Sequence, residues 1–481
     1  MNIRSLEPTV VWNHFEDLNN VPRPSKKEER VIAFMKEFGE SNGLSTYVDP
    51  AGNVIIKKPA STGMESKQTV ILQSHLDMVH QKNSDTDFDF NTQGINMLID
   101  GDWVTADGTT LGADNGMGVA TIMSLLVSKD VPHPALEALF TIDEETGMTG
   151  AFELEKNILE GTILLNLDTE DDDEFSIGCA GGIDTNTSYD YQPVNTNDSD
   201  VAFGISVTGL KGGHSGMDIH LERGNANKIM NRLIGSLENY DVRINSIDGG
   251  SLRNAIPRES FAKIVVNNKN IAENLNEEIK VIKQEFSISD ANLTVSFNEV
   301  STPENSMSVS DTKKVIQSIR AVQNGVYKMS MAIAGLVETS SSLARVIVGN
   351  GSFQTQSLQR SSVESSKTDI AKTVGSSFSM IGANVEHTGS YPGWAPNPNS
   401  EILEIMVPLY NEMYNDQPRV QACHAGLECG ILNERYPGLD MISFGPTIKN
   451  PHSPDEKVHI GSVKKFWELL LAVLVRIPNK N

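Results

Sequence analysis

The residues with the most chemical promise are an aspartate in a glycine-dense turn and the histidines and carboxylates spaced around it. Asp114 stands within Thr110-Leu-Gly-Ala-Asp-Asn-Gly-Met-Gly118, ahead of the apolar run 119–126. That pattern predicts a tight loop feeding a buried helix. A short carboxylate held rigidly in such a loop has two oxygens, one for each of two cations. Upstream lies Ser74-His-Leu-Asp77, at the end of the apolar run 70–72. Downstream come Asp143-Glu-Glu145 after 139–142, Asp168 after 163–167, and His452 in a proline-bounded loop. Most of these positions end or follow a short β-rich run. They therefore fall at the C-terminal edge of a sheet, where open α/β folds place ligand sites. The pattern reads as a two-metal hydrolase site centred on Asp114.

The residue types suit amide hydrolysis, which needs an activated water, a polarised carbonyl and a proton donor for the leaving amine. Two borderline cations about 3.5–4 Å apart meet the first two needs. Imidazole and carboxylate ligands together suit zinc, with cobalt or manganese as substitutes. In a strand, His75 and Asp77 point the same way, so Asp77 can accept the second N–H of His75 and fix its tautomer. Glu144 and Glu145 are adjacent and need not play the same part, since one can bind metal while the other serves as base. The residues alone leave open which does which. Taken singly, a His-X-Asp pair is more often a loop-edge contact, an adjacent Glu pair is more often solvated surface, and Asp168 could merely open the acidic stretch 168–174. Five such positions in this order, most of them at strand ends, outweigh those readings. His80 reads as loop surface. Cys423 and Cys429 flank His424, but their spacing matches no zinc pattern and a buried structural role is expected.

The chain around these residues is long enough for two or three domains at 481 residues. A formal charge of −24 argues against nucleic acid or an anionic membrane as partner and favours an attraction for cations. Met1–Pro8 lacks the apolar segment of a secretory signal. The run 466–477 is too short for a membrane span and is expected as a buried C-terminal helix. With three cysteines, this gives a cytoplasmic location as the expectation. Residues 10–42 read as amphipathic helix broken at Val21-Pro-Arg-Pro24, with Ser25 and Glu28 in the form of a capping box. Strands alternate with helices up to Leu167, the signature of a mixed or parallel α/β layer. Residues 190–395 read as an inserted α+β lid, and the proline- and glycine-dense stretch 388–398 as an irregular return linker. The expected organisation is a catalytic domain in two parts, 1–189 and 396–481, around that lid.

His75-Leu-Asp77, Gly112-Ala-Asp114-Asn, Asp143-Glu-Glu145-Thr-Gly, Asn166-Leu-Asp168 and His452-Ser-Pro-Asp-Glu456 resemble the co-catalytic zinc peptidases and aminoacylases that include carnosinases and glutamate carboxypeptidase. Pro22-Arg-Pro-Ser25, Thr109-Thr-Leu-Gly-Ala-Asp-Asn-Gly116, Gly212-Gly-His-Ser-Gly216, Arg223-Gly-Asn-Ala-Asn227 and Gly389-Ser-Tyr-Pro-Gly-Trp394 resemble, more narrowly, the bacterial dipeptidases of that family. The likeness runs from about residue 5 to 475. It implies a three-layer α/β/α zinc-peptidase catalytic domain with an inserted α+β lid, and two Zn2+ ions per subunit. Asp114 would bridge the metals across a cis Asp114–Asn115 peptide. His75 and Asp168 would complete one metal site, Glu145 and His452 the other. Asp77 would be the orienting carboxylate, Glu144 the general base, and His214 of the lid the oxyanion's partner. Asn254, Arg360 and Gly426 are candidates for holding the substrate, the guanidinium because it grips a carboxylate bidentately. The implied reaction is hydrolysis of Xaa-His and other dipeptides with free ends. An N-acyl amino acid deacylase or desuccinylase on the same metals is the alternative, and a catalytically dead metal-binding scaffold a remoter one. A homodimer, with His214 acting in its own or a neighbouring subunit, is left open by the length of the lid.

Overall fold

The computed structural model describes residues 2–267 and 270–480. The chain divides into two compact units, one of residues 1–178, 396–422 and 427–481, the other of 179–395 and 423–426.

The first unit is built on an eight-stranded sheet in the order Ser45–Val48, Val54–Lys58, Leu136–Thr141, Val70–His75, Ile163–Asn166, Asp440–Ser443, Glu174–Cys179, Arg419–Cys423. Its four middle strands, Leu136–Thr141 to Asp440–Ser443, run parallel. Every residue of Val70–His75, Leu136–Thr141 and Ile163–Asn166 is buried, as expected of parallel strands covered on both faces. That is why the stretches 70–72, 138–140 and 163–165 are apolar without alternation. The register pairs His75 with Thr141 and Gln73 with Asn166, so the strands end level and their following loops emerge at one edge. Helix Ala113–Val127 is buried along nearly all its length, and a smaller four-stranded sheet contains Trp103–Ala106 and Lys457–His459. Among the described residues no helix is long and apolar enough to cross a membrane.

The N-terminal helical stretch breaks at its prolines as expected, into Thr9–Asn19 and Glu29–Ser41. The capping box is not formed. Glu28 precedes the second helix without a side-chain cap, and the Ser25 hydroxyl is engaged elsewhere.

The second unit is a nine-stranded sheet, with Gly181–Asp190 between Ser352–Ser361 and Asn384–Tyr391. Helices including Ala226–Gly235, Val309–Ala321 and Glu364–Ser379 share one apolar core with it. The pairing of Gly181–Asp190 explains why the units part at 178/179, ahead of the expected 189/190. Residues 388–391, read from sequence as irregular linker, continue the last strand through a register shift between Thr388 and Tyr391. Glycine at 389 sits at φ 58° within that shift, so the local composition that breaks a regular strand here permits a bulged one.

Candidate metal centre and active site

Asp114 lies at the mouth of its helix, in a first turn that is not helical: Asp114 has φ −83°, ψ 110° and Asn115 φ −103°, ψ 29°. The Asp114–Asn115 peptide is cis. Asn115 donates its side-chain N–H to the Leu167 carbonyl at 2.9 Å and also to Asp168, tying the turn to the neighbouring strand end. Gly118 has no room for a side chain, since a Cβ would stand 2.1 Å from Asn115 Oδ1 and 2.3 Å from Ser74 Oγ.

The two Asp114 oxygens face different partners. His75 Nε2 is 3.2 Å from Oδ1 and 3.5 Å from Asp168 Oδ1. His452 Nε2 is 3.4 Å from Oδ2 and 2.9 Å from Glu145 Oε2. Two histidine–carboxylate pairs thus share one aspartate, and ligand atoms of His75, Asp114 and Glu145 lie within 4.8 Å of one another. His452 reaches this position from a loop with φ 61°.

Asp77 is buried behind His75, with Oδ1 3.3 Å from the ring Nδ1. It also accepts the backbone N–H of Glu144 at 3.0 Å and of Glu145 at 3.3 Å. One carboxylate therefore sets both the imidazole and the turn that carries the two glutamates. Ser25 donates its hydroxyl to Asp77 Oδ2 at 2.8 Å, which is what replaces the expected helix cap. We expect Ser25→Ala to weaken metal affinity by about tenfold with the fold retained, as second-layer partners of metal ligands commonly do; a competitive chelator titration reads it. A second acidic group, Glu28, Asp77 and Asp143, is already spoken for: Lys26 pairs with Asp143 and Ser25 with Asp77.

The electrostatics are those of a site built for cations. Burial pushes Asp114 up, but hydrogen bonds from His452 and His75 outweigh it and hold the carboxyl below its usual range. Hydrogen bonds to Asp114 and Glu145 drive His452 up to about 11. Burial pulls His75 down, yet Asp168 and Asp114 raise it well above an ordinary histidine. Burial raises Glu145 and, more strongly, Glu144. Glu145 Oε1 is buried without a hydrogen-bond partner. Three carboxylates and two imidazoles, with a buried oxygen unmatched, fit a pair of divalent ions: His75, Asp114 and Asp168 could hold one, His452, Asp114 and Glu145 the other.

Sequence reasoning missed the groups that hold these loops. Arg23 is 1% exposed and donates to the carbonyls of Leu76, Asp77 and Gly112 and to Asn19. Glu456, visible in the sequence only as part of a motif, accepts the N–H groups of Leu111, Gly112, Ala113 and Asp114 at 2.7–3.2 Å. Glu428 accepts from Gln73 and Thr141, both at 2.7 Å, and burial pushes it up to about 8. Gln73 also accepts from Asn166, which accepts from Ser443. This polar belt crosses the four middle strands at their C-terminal ends. A glutamine and an asparagine inside runs that are otherwise buried and apolar were its visible signal, since buried polar groups are kept only when partnered.

In the second unit, His214 Nδ1 accepts the N–H groups of Gly216 at 3.2 Å and Met217 at 3.0 Å. Its proton therefore sits on Nε2, and burial, with Arg360 next, lowers its pKa. Arg360 Nη2 stands 3.4 Å from that Nε2, so two donors face each other. Asn254 is exposed, and its carbonyl accepts from Ser215 at 2.8 Å. Gly426 belongs to the short segment 423–426 assigned to this unit.

The fold is that of a metallopeptidase, and the chain belongs to peptidase family M20/M25/M40, whose family model matches residues 71–476. It is 40% identical over 484 residues to the cytosol non-specific dipeptidase of Escherichia coli K12, covering 99% of each chain. The crystal structure of aminoacylhistidine dipeptidase from Vibrio alginolyticus superposes with a TM-score of 0.96 at 43% identity, over 100% of this chain and 99% of that one. An aminopeptidase of Bacillus cereus shares the fold at a TM-score of 0.57 and 16% identity, over 98% and 99% of the two chains.

Proposed function

We propose that this protein is a metal-dependent dipeptidase that hydrolyses Xaa-His and other dipeptides with free ends, using two Zn2+ ions per subunit. The observation that carries the reading is the division of the Asp114 oxygens between the His75–Asp168 pair and the His452–Glu145 pair. Bound there, the metal pair would acidify a water and polarise the scissile carbonyl. Glu144 takes the proton of that water and passes it to the leaving nitrogen. Asp77 holds His75 in one tautomer and fixes the Glu144 amide, so ligand and base are positioned together. His214 offers its Nε2–H to the developing oxyanion, and Arg360 takes the substrate's terminal carboxylate, with Asn254 and Gly426 lining its approach. The donors of His214 and Arg360 facing each other support an anionic partner between or beside them. The deacylase reading is not favoured, because the relatives that match along the whole chain carry dipeptidase names. A cytoplasmic location accords with the name of the Escherichia coli relative, a cytosol dipeptidase, and the acidic charge of −24 with the absence of nucleic-acid or membrane partners; the homodimer stays open.

The test is hydrolysis of a dipeptide panel, set against N-acyl amino acids, by chelated and metal-restored protein. Activity lost with chelator and regained with zinc on dipeptides supports the reading; activity confined to acyl amino acids moves the chemistry to deacylation. The histidines add a pH expectation. In the metal-free site His452 is pushed up to about 11 and His75 well above its ordinary value, so both carry protons at neutral pH. Those protons must leave as metal enters. Apparent metal affinity should therefore rise with pH across the neutral range, with up to about two protons released per loaded site. Calorimetry in buffers of different ionisation enthalpy counts them.

A further inference from the structure

The motif Gly389-Ser-Tyr-Pro-Gly-Trp394 has no part in the mechanism so far. The sheet of the second unit gives it one. Gly182 is paired with Arg360 on one side and with Tyr391 on the other. Residues directly opposite across neighbouring strands share a face, so Arg360 and Tyr391 project to the same side with a residue lacking a side chain between them. A Cβ at Gly182 would stand 2.6 Å from the Tyr391 ring and hydroxyl, so the ring lies over the glycine. There the Tyr391 hydroxyl accepts Arg360 Nη1–H at 2.8 Å. The other end of the residue is pinned as well: buried Lys367 donates to the Tyr391 carbonyl at 2.5 Å. Cys179 and Trp394 exchange two backbone hydrogen bonds of 2.9 Å just beyond.

This tyrosine is poised for more than support. Its oxygen is used as an acceptor, and among the described residues its own O–H meets no acceptor. Arg360 is 4% exposed, has no ion-paired carboxylate among the described residues, and keeps a buried Nε without a partner. Asp184, two residues along the strand from Gly182, pairs with Arg253 at 3.2 Å. A buried cation lacking a counter-ion, flanked by the free O–H of a tyrosine and the Nε2–H of His214, is a set of donors awaiting an anion.

We propose that Tyr391 is a specificity-determining residue: it fixes the plane of the Arg360 guanidinium and donates its O–H to the free terminal carboxylate of the substrate. The inference rests on the reading of Arg360 as the carboxylate's partner. A carboxylate offers only acceptors and satisfies this set. A terminal amide would turn an N–H2 group toward donors and leave one unmatched, which is a source of strong discrimination.

The experiment compares a dipeptide with its C-terminal amide, using metal-loaded full-length protein, and measures competitive inhibition by a free amino acid, which carries the same carboxylate without being turned over. Tyr391→Phe should lower kcat/KM for the free dipeptide by about 10–100-fold, the range for losing a hydrogen bond to a charged group. The loss should lie in KM with kcat little changed. The inhibitor should weaken in parallel, and the amide, which keeps one acceptor oxygen, should lose rate by a smaller factor than the free acid. Equal losses on acid and amide, or none on either, would overturn the inference. Arg360→Met run alongside separates the two levels. If that variant keeps the preference for the free acid, the Arg360 reading itself is wrong. If it loses the preference while Tyr391→Phe keeps it, only the role of Tyr391 falls.

Discussion

Glu144→Gln should lower kcat by about 10²–10⁴-fold, the contribution of a general acid–base group, with both metals still bound. The geometry separates this residue from its neighbour. The Glu145 carboxylate faces His452 at 2.9 Å, whereas the Glu144 side chain makes no hydrogen bond or ion pair among the described residues. Its backbone N–H is fixed by Asp77 at 3.0 Å, so the side chain is placed without being occupied. Burial raises its pKa well above that of an ordinary carboxyl. A base works best when its pKa approaches the operating pH, so the raised value strengthens its hold on the proton it accepts and later delivers. Because the active form is the carboxylate, and bound cations oppose the effect of burial on it, activity should rise with pH and level off once Glu144 is ionised. Glutamine keeps the shape and removes the proton acceptor. Turnover measured together with metal content per chain decides the matter. Near-normal turnover in a fully loaded variant would remove Glu144 from the mechanism.

Much of this site was legible in the sequence because parallel strands declare themselves. Short apolar runs ending three residues before His75, or shortly before Asp143 and Asp168, are what strands covered on both faces look like, and strands of one parallel sheet end at one edge. That edge gathers residues far apart in the chain. What stayed hidden depended on contacts across long sequence separations. Ser25 had the spacing of a helix cap, yet its hydroxyl meets Asp77, a partner that local spacing cannot name. The stretch 388–391 had the composition of a linker, yet its register shift lets it finish a strand, because pairing supplied by Gly181–Asp190 overrides local propensity. The glycines around Asp114 were plain to see, but their reason was not. A Cβ on Gly112 or on Gly116 would stand 2.6 Å from Arg23 Nη2. Those glycines make room for an arginine that arrives from the Pro22–Pro24 turn.

That arginine is half of a clamp, and breaking the other half should produce the second large effect. The segment 111–114 is gripped on its N–H side by the Glu456 carboxylate through four bonds, and on its carbonyl side by Arg23 at Gly112. Both groups are buried. Burial pulls Arg23 down to about 10, with Glu456 the leading opposing charge, so it stays a cation at neutral pH. Burial pushes Glu456 up to about 7 against the pull of the backbone amides. Removing the Glu456 carboxylate leaves four backbone N–H groups without their acceptor, a loss of about 3–5 kcal/mol at roughly 1–3 kcal/mol for each buried donor that water does not reach. Glu456→Ala should show that destabilisation in a denaturant melt of the metal-free protein, where ligation by the metals cannot mask it. It should also weaken both metals together, because the segment released carries the shared Asp114 and the Glu456 loop carries His452. Glu456→Gln retains an acceptor oxygen and should fall between alanine and wild type in both measurements. A Glu456→Ala protein with unchanged metal-free stability would show that the Asp114 turn holds its shape without the clamp. A variant that lost one metal and kept the other would show that Asp114 is not shared.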